Sequence, residues 1–229
     1  MTVVYRCTVL LLLIAGSLMS QGPINTIPVW DGAEFIASFG VPDTATYGQT
    51  INIAPGTAAI SSFGFEMGNC TASVSLRGEI YAWDGTKATG SSLFESPVTV
   101  VNASNSFQLV LFSTPGLSLP PGNYVLFATT SRDQSEAPAG CQYGSVDDTA
   151  YPAGLHVYLN NGTDVSQWTS GAWPSLPLDL AFQVNLAPAP PPPAPPAGVP
   201  AASPATLLLG FAGVIALGLL GLYRLRTAG

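Results

Sequence analysis

The sequence predicts an all-β fold, an antiparallel jelly-roll-like β-sandwich flanked by an N-terminal signal helix and a C-terminal transmembrane helix. Three observations lead there. Between residues 23 and 186, short β-branched and aromatic runs recur, punctuated by Gly, Pro, Asn and Asp. Nowhere in that stretch does a capped 3.6-residue period persist, so strands rather than helices are expected. Only 8% of residues are charged, against about 25% in an ordinary soluble domain. A surface of Ser, Thr, Asn and Gly, together with membrane-embedded ends, accounts for the difference.

Residues 1–22 read as a signal peptide. Arg6 supplies the positive end and the apolar run from Thr8 to Leu18 is too short to span a bilayer comfortably. Cys7 falls inside this segment, ahead of the apolar run, and is expected to leave with it.

The body, residues 23–186, is expected to form one exported β-sandwich domain, long enough for a single core. Its strands are expected at Thr46 to Ile53, Ala59 to Met67, Ser73 to Trp83, Leu93 to Val101, Ser106 to Ser113, Tyr124 to Thr130, Leu155 to Asn160 and Leu178 to Asn185. Phe63, Phe65 and Met67 share one strand face and are core positions. Asp84-Gly85 and Pro120-Pro121-Gly122 are turn signals. The stretch from Ser131 to Gly154 has no strand pattern and reads as a long loop. With the signal removed, Cys70 and Cys141 remain, an even number in an oxidising compartment, so one disulfide is expected and two buried thiols are the alternative.

Residues 187–204 are half proline. Proline fixes φ and lacks a donor, so a polyproline II stalk on the order of 50 Å long is expected. Residues 205–223 form an uncharged run of membrane-spanning length, followed by the basic tail 224–229 with Arg224 and Arg226. With an exported N-terminus, those arginines put the tail on the cytoplasmic side.

The ending Pro200-Ala201-Ala202-Ser203-Pro204-Ala205-Thr206, the Gly/Leu/Ala span and then Arg224 and Arg226 resembles the PEP-CTERM type of sorting signal, with Ser203 where that family carries glutamate. The resemblance implies recognition by a sorting protease of the exosortase type and delivery to the cell surface or extracellular matrix; a permanent single-span anchor is the alternative. Within the body, Tyr47-Gly48-Gln49-Thr50, the Ala82-Trp83-Asp84-Gly85 turn, Leu119 to Val125 and Leu178-Asp179-Leu180-Ala181-Phe182 resemble the choice-of-anchor type of exported domain. That resemblance implies a jelly-roll-like sandwich and no established reaction.

All thirteen acidic residues lie between Asp31 and Asp179, with only Arg77, Lys87 and Arg132 to balance them, so that stretch carries a formal charge of −10. Nucleic acid is excluded as a partner, because such binding needs Lys and Arg to displace counterions. The membrane is the expected partner through the span, and exopolysaccharide the expected ligand class.

Catalytic chemistry has little to draw on. His156 is the single histidine and, in the run Leu155-His156-Val157-Tyr158-Leu159, is expected to face solvent. Asp147-Asp148 are adjacent, so their side chains diverge, and no Gly-x-Ser-x-Gly elbow or phosphate loop occurs. No enzyme activity is expected. Trp168, Trp173, Tyr143 and Tyr151, all in Gly/Ser/Asp-rich stretches, are the candidate glycan-stacking residues. Asp133, Glu136, Asp147 and Asp148 are the candidate oxygen ligands of a structural Ca²⁺, with no other cofactor expected. Asn69, Asn102 and Asn161 head formal N-glycosylation motifs, read as chance matches. The expected function is that of a non-catalytic surface or matrix protein acting in adhesion or exopolysaccharide and biofilm association. A secreted carbohydrate-active hydrolase and a structural coat subunit without a small ligand are the alternatives.

Overall fold

The computed structural model describes residues 21–41, 44–55, 59–133 and 139–187. The expected stalk, span and basic tail therefore lie outside the described residues. So do the sorting residues Pro200, Ser203, Pro204, Ala205, Thr206, Arg224 and Arg226, together with Glu136 and all of the expected signal except Gln21 and Gly22. Among the described residues no helix is long and apolar enough to cross a membrane.

The body is a β-sandwich of two antiparallel sheets. In chain order the strands are β1 (Ile24–Asn25), β2 (Phe35–Val41), β3 (Thr46–Ile53), β4 (Ala59–Gly68), β5 (Val74–Trp83), β6 (Ala88–Glu95) and β7 (Thr99–Val101), then β8 (Gln108–Ser118), β9 (Gly122–Thr129), β10 (Ala139–Asp147), β11 (His156–Leu159), β12 (Ser175–Leu176), β13 (Leu178–Leu180) and β14 (Phe182–Ala187). A one-turn helix, α1 (Gln167–Ser170), lies between β11 and β12. The first sheet runs β1-β14-β4-β10-β13, with β2 also on β10 and β8 also on β4. The second runs β12-β11-β3-β9-β5-β6, with β7 also on β5.

Period-two alternation decides which side chains meet between the sheets. Phe63, Phe65 and Met67 from β4 and Val110 and Phe112 from β8 turn inward. They meet Leu76 and Ile80 from β5 and Leu126 and Ala128 from β9. The sheets approach so closely at Gly78 that a Cβ there would collide with the Phe112 ring. Gln21 also belongs to the fold: its amide donates to Asn52 O at 3.1 Å and accepts from Ala54 N at 2.9 Å, so the body begins ahead of the boundary expected at residue 23.

Cys70 and Cys141 form the expected disulfide, across a sequence separation of 71. It pins the end of β4 to β10, which is a strand rather than the expected loop and pairs with β2, β4 and β13. The expected strands over 93–101 and 178–185 are each broken in two. Ser96 and Pro97 interrupt the first, and Ala181, where the chain passes from β10 toward β4, interrupts the second. The Asp84-Gly85 turn forms as expected: Asp84 Oδ1 accepts from Thr86 N and Lys87 N at 2.8 and 2.9 Å, and Gly85 takes φ +103°.

The second sheet carries a further apolar layer on its outer face. Tyr81, Val125, Phe127, Val157 and Leu159 point away from the central core and are covered by Trp168 and Trp173, from the connection that contains α1. The sandwich thus has two cores, one between the sheets and a smaller one beneath this cover.

Candidate functional site

Of the four aromatic residues expected to stack on glycans, Trp168, Trp173 and Tyr143 are buried and Tyr151 is half-buried. Trp168 and Trp173 are 1% and 6% exposed. Trp168 packs edge-on to Phe127, donates Nε1–H to Thr46 Oγ1 at 3.3 Å and lies under the Arg132 guanidinium at 5.3 Å. Trp173 donates to Trp168 O at 2.8 Å. Tyr143 is buried between the sheets against Phe39, Tyr47 and Phe65. Tyr151 is half-buried, with its hydroxyl accepting from Asn52 N at 3.0 Å and its ring on Phe182. The physical reason is the outer apolar face of the second sheet, which needs a cover; the Gly- and Ser-rich connection supplies it with its two tryptophans.

Of the acidic residues proposed for Ca²⁺, the three that are described, Asp133, Asp147 and Asp148, are not part of any metal-holding group. Asp133 receives Arg77 Nε at 2.7 Å and Nη2 at 3.1 Å. Asp147 caps its own turn by accepting from Thr149 N at 2.9 Å, which holds its carboxyl below the usual range. Among the described residues no group of three His, Cys, Asp or Glu side chains is placed to hold a metal ion. Asn161, expected at most to be a chance glycosylation motif, is buried. Its amide nitrogen donates to Ser131 Oγ and Asp164 O, both at 3.0 Å, which leaves no open acceptor nitrogen for a sugar.

His156 corrects the expectation of a solvent-facing imidazole. It is fully buried, on the face of β11 opposite Val157 and Leu159, stacked with Tyr158 and edge-on to Tyr47. Nδ1 lies 3.1 Å from Gly48 O. A carbonyl can only accept, so Nδ1 carries the hydrogen and Nε2 is left as an acceptor, with no hydrogen-bond partner. Burial pushes the pKa down to about 4, so the ring is neutral at pH 7.

His156 lines a cleft of about 240 Å³ at an edge of the sandwich, walled by Ile36, Thr44, Tyr47, Tyr158 and Leu176. On the other side of Leu176 a wider groove of about 560 Å³ runs over Leu155, Pro152 and Pro177, with Asp148, Thr149 and Ser175 as its polar lining. The wider groove is mainly apolar with a few hydroxyl groups and the Asp148 carboxylate, and the smaller cleft is about equally polar and apolar. The imidazole is too weakly basic for a general base near neutrality, and no described hydroxyl or thiol hydrogen-bonds to Nε2.

A second polar cluster sits on the outer face of the second sheet. Glu79 is fully buried; Oε2 accepts from Ser92 Oγ at 2.7 Å, Oε1 has no partner, and burial pushes the carboxyl up to about 7. Its cross-strand neighbour Glu95 is clamped by Arg77 at 2.6 Å and Arg132 at 2.8 Å. These two carboxyl groups were not singled out by sequence, because they lie 16 positions apart and become neighbours only through the β5–β6 register.

No family model matches the chain, and no curated protein matches it. Among solved structures, it is similar to the cysteine protease and lectin-like domains of Cwp84, a surface layer associated protein of Clostridium difficile, at 10% identity and TM-score 0.43, with 64% of this chain and 33% of that one covered. It is also similar to a clostridial cysteine protease Cwp84 variant after propeptide cleavage, at 11% identity and TM-score 0.47, with 69% and 38% covered. The chain thus spans about a third of the length of those structures.

Proposed function

We propose that the protein is a non-catalytic, exported surface or matrix protein. It is a jelly-roll-like sandwich of the choice-of-anchor type, raised on a Pro-rich stalk, held by a single span and routed by a PEP-CTERM-type tail to an exosortase-type protease. The observation that carries this reading is the Cys70–Cys141 bridge. Such a bridge persists where thiol-reducing systems are absent, outside the cytosol. Burial of Trp168 and Trp173 favours a structural role in a coat or matrix over ring stacking on a glycan chain. Exopolysaccharide association is the second reading, favoured by the two clefts that share Leu176, where Thr44, Tyr47, Tyr158, Thr149 and Ser175 supply hydroxyl groups for sugar contacts.

The test is fractionation of the native host, followed by mass spectrometry of both chain ends. The expected product is in the envelope or surface fraction, oxidised at Cys70 and Cys141, with the segment before Gln21 or Pro23 removed. Recovery of the untrimmed, reduced chain from the cytosol would overturn the reading.

A further inference from the structure

Most edges of the sandwich are closed to further pairing. β1 and β12 have two residues each, and β7 and β13 three. β6 is broken by a register shift opposite Ile80 to Ala82, with Gly90 at φ +74°, and it ends on Glu95, whose charge is tied to Arg77 and Arg132. The C-terminal half of β2 is turned back on Thr44, whose carbonyl accepts from Gly40 N and whose N–H donates to Ser38 O.

β8 is different. It has eleven residues and pairs with β4 along one side, and no described residue bonds to the backbone of its other side. Every second residue of such a strand turns its N–H and C=O outward, unpaired. Residues 108–114 contain neither charge nor proline. Leu109 and Leu111 stand on the outer face, 37% and 44% exposed, with Leu111 lying over Gly64, while Val110 and Phe112 are buried beneath. Folded proteins normally blunt a long edge with Lys, Pro or a bulge; here such a device enters only at Pro115-Gly116, beyond the seven-residue run.

We propose that β8 is a self-association edge, pairing antiparallel with β8 of a second copy of this chain about a two-fold axis through Leu111. The open backbone groups call for a strand. The other edges described are short, bulged or folded back, so a head-to-tail contact that would build an open fibre is disfavoured and a closed pair remains. A two-fold perpendicular to the sheet keeps each outer face on the outer side. Leu111 then meets Leu111 of the other copy, Leu109 meets Ser113, and on the inner side Val110 meets Phe112. Charge selects the same place. The formal −10 of the stretch from Asp31 to Asp179 repels a second copy over most approaches, but this edge carries no charge. The nearest sheet carboxylate, Glu66, is one strand behind Leu109. The two copies' Glu66 groups would thus be at least three strand spacings, about 14 Å, apart, beyond the roughly 8 Å screening length at physiological salt. The pairing is independent of how the chain is routed.

The experiment is sedimentation of the purified full chain in detergent, at low and high salt, beside Leu111→Lys, Leu111→Cys and Leu155→Cys. The expected result is a dimer that tightens with salt. Leu111→Lys, which sets two cations face to face on an exposed position, weakens it by about tenfold or more with the circular dichroism spectrum unchanged. Mild oxidation cross-links Leu111→Cys, whose Cβ atoms would lie about 4.5–5.5 Å apart across the axis, but not Leu155→Cys, exposed elsewhere. A monomer at every concentration and salt overturns the proposal. So does a dimer that survives Leu111→Lys unchanged, which would place the contact in another surface or in the apolar C-terminal run.

Discussion

Replacing Glu79 by Gln should stabilise the protein at alkaline pH and leave it nearly unchanged in acid. In the fold Glu79 is fully buried, and burial raises its carboxyl from 4.5 to about 7, against the pull of the Ser92 hydroxyl and the attraction of Arg132. The folded chain therefore keeps a proton that the unfolded chain has already released. The stability this group contributes is complete below pH 4.5 and is lost as pH rises through about 7. A separation of about two and a half pH units corresponds to about 3 kcal/mol of stability forfeited at pH 8. Gln keeps an oxygen for Ser92 and introduces no charge, so Glu79→Gln should recover that amount, a rise of roughly 6–12 °C in Tm for a body of this size. The assay is thermal unfolding followed by circular dichroism at about pH 4 and about pH 8, the two plateaus on either side of the titration. If the variant is no more stable than its parent at the alkaline plateau, or if the difference is the same at both, the buried carboxyl is not titrating as described.

The opposite sign belongs to His156, whose pKa is lowered from 6.5 to about 4: the stability it contributes is complete above pH 6.5 and falls by about 3 kcal/mol as pH drops through 4. His156→Phe should flatten that acid limb in urea titrations, and an unchanged limb would refute the assignment. Removing the bridge with Cys70→Ser and Cys141→Ser together opens a loop of 71 residues, which on the chain-entropy estimate costs about 4 kcal/mol. The urea midpoint should fall accordingly, and a loss below about 1 kcal/mol would mean that the unfolded chain is already restrained there.

Strands whose two faces differ in polarity were legible in the sequence. β4 is one, since Phe63, Phe65 and Met67 alternate with Gly64 and Glu66. β10 was not, because Ala-Gly-Cys-Gln-Tyr-Gly-Ser-Val-Asp offers small and polar residues where strands usually show branched ones. It sits between β2 and β4, and its small side chains suit that crowding: a Cβ at Gly144 would strike the Trp30 ring and Ala181. His156 misled for a related reason. Alternation with Val157 and Leu159 assigned it to the wet side, but β11 has two dry sides, since Trp168 and Trp173 cover one and Tyr47 and Tyr158 fill the other. Composition placed Trp168 and Trp173 in a Gly/Ser/Asp-rich stretch, but it carried no sign of the sheet face that this connection covers. The disulfide was legible because the two cysteines left only one pairing.

The final strand has a mechanical consequence. Whatever follows Ala187 can pull on the fold only through β14, which is paired with β4 on one side and, near its start, with β1 on the other. Ladder hydrogen bonds lie across the strand direction, so traction along β14 loads many of them at once in shear instead of peeling them one after another. A tether attached there would give way late and abruptly.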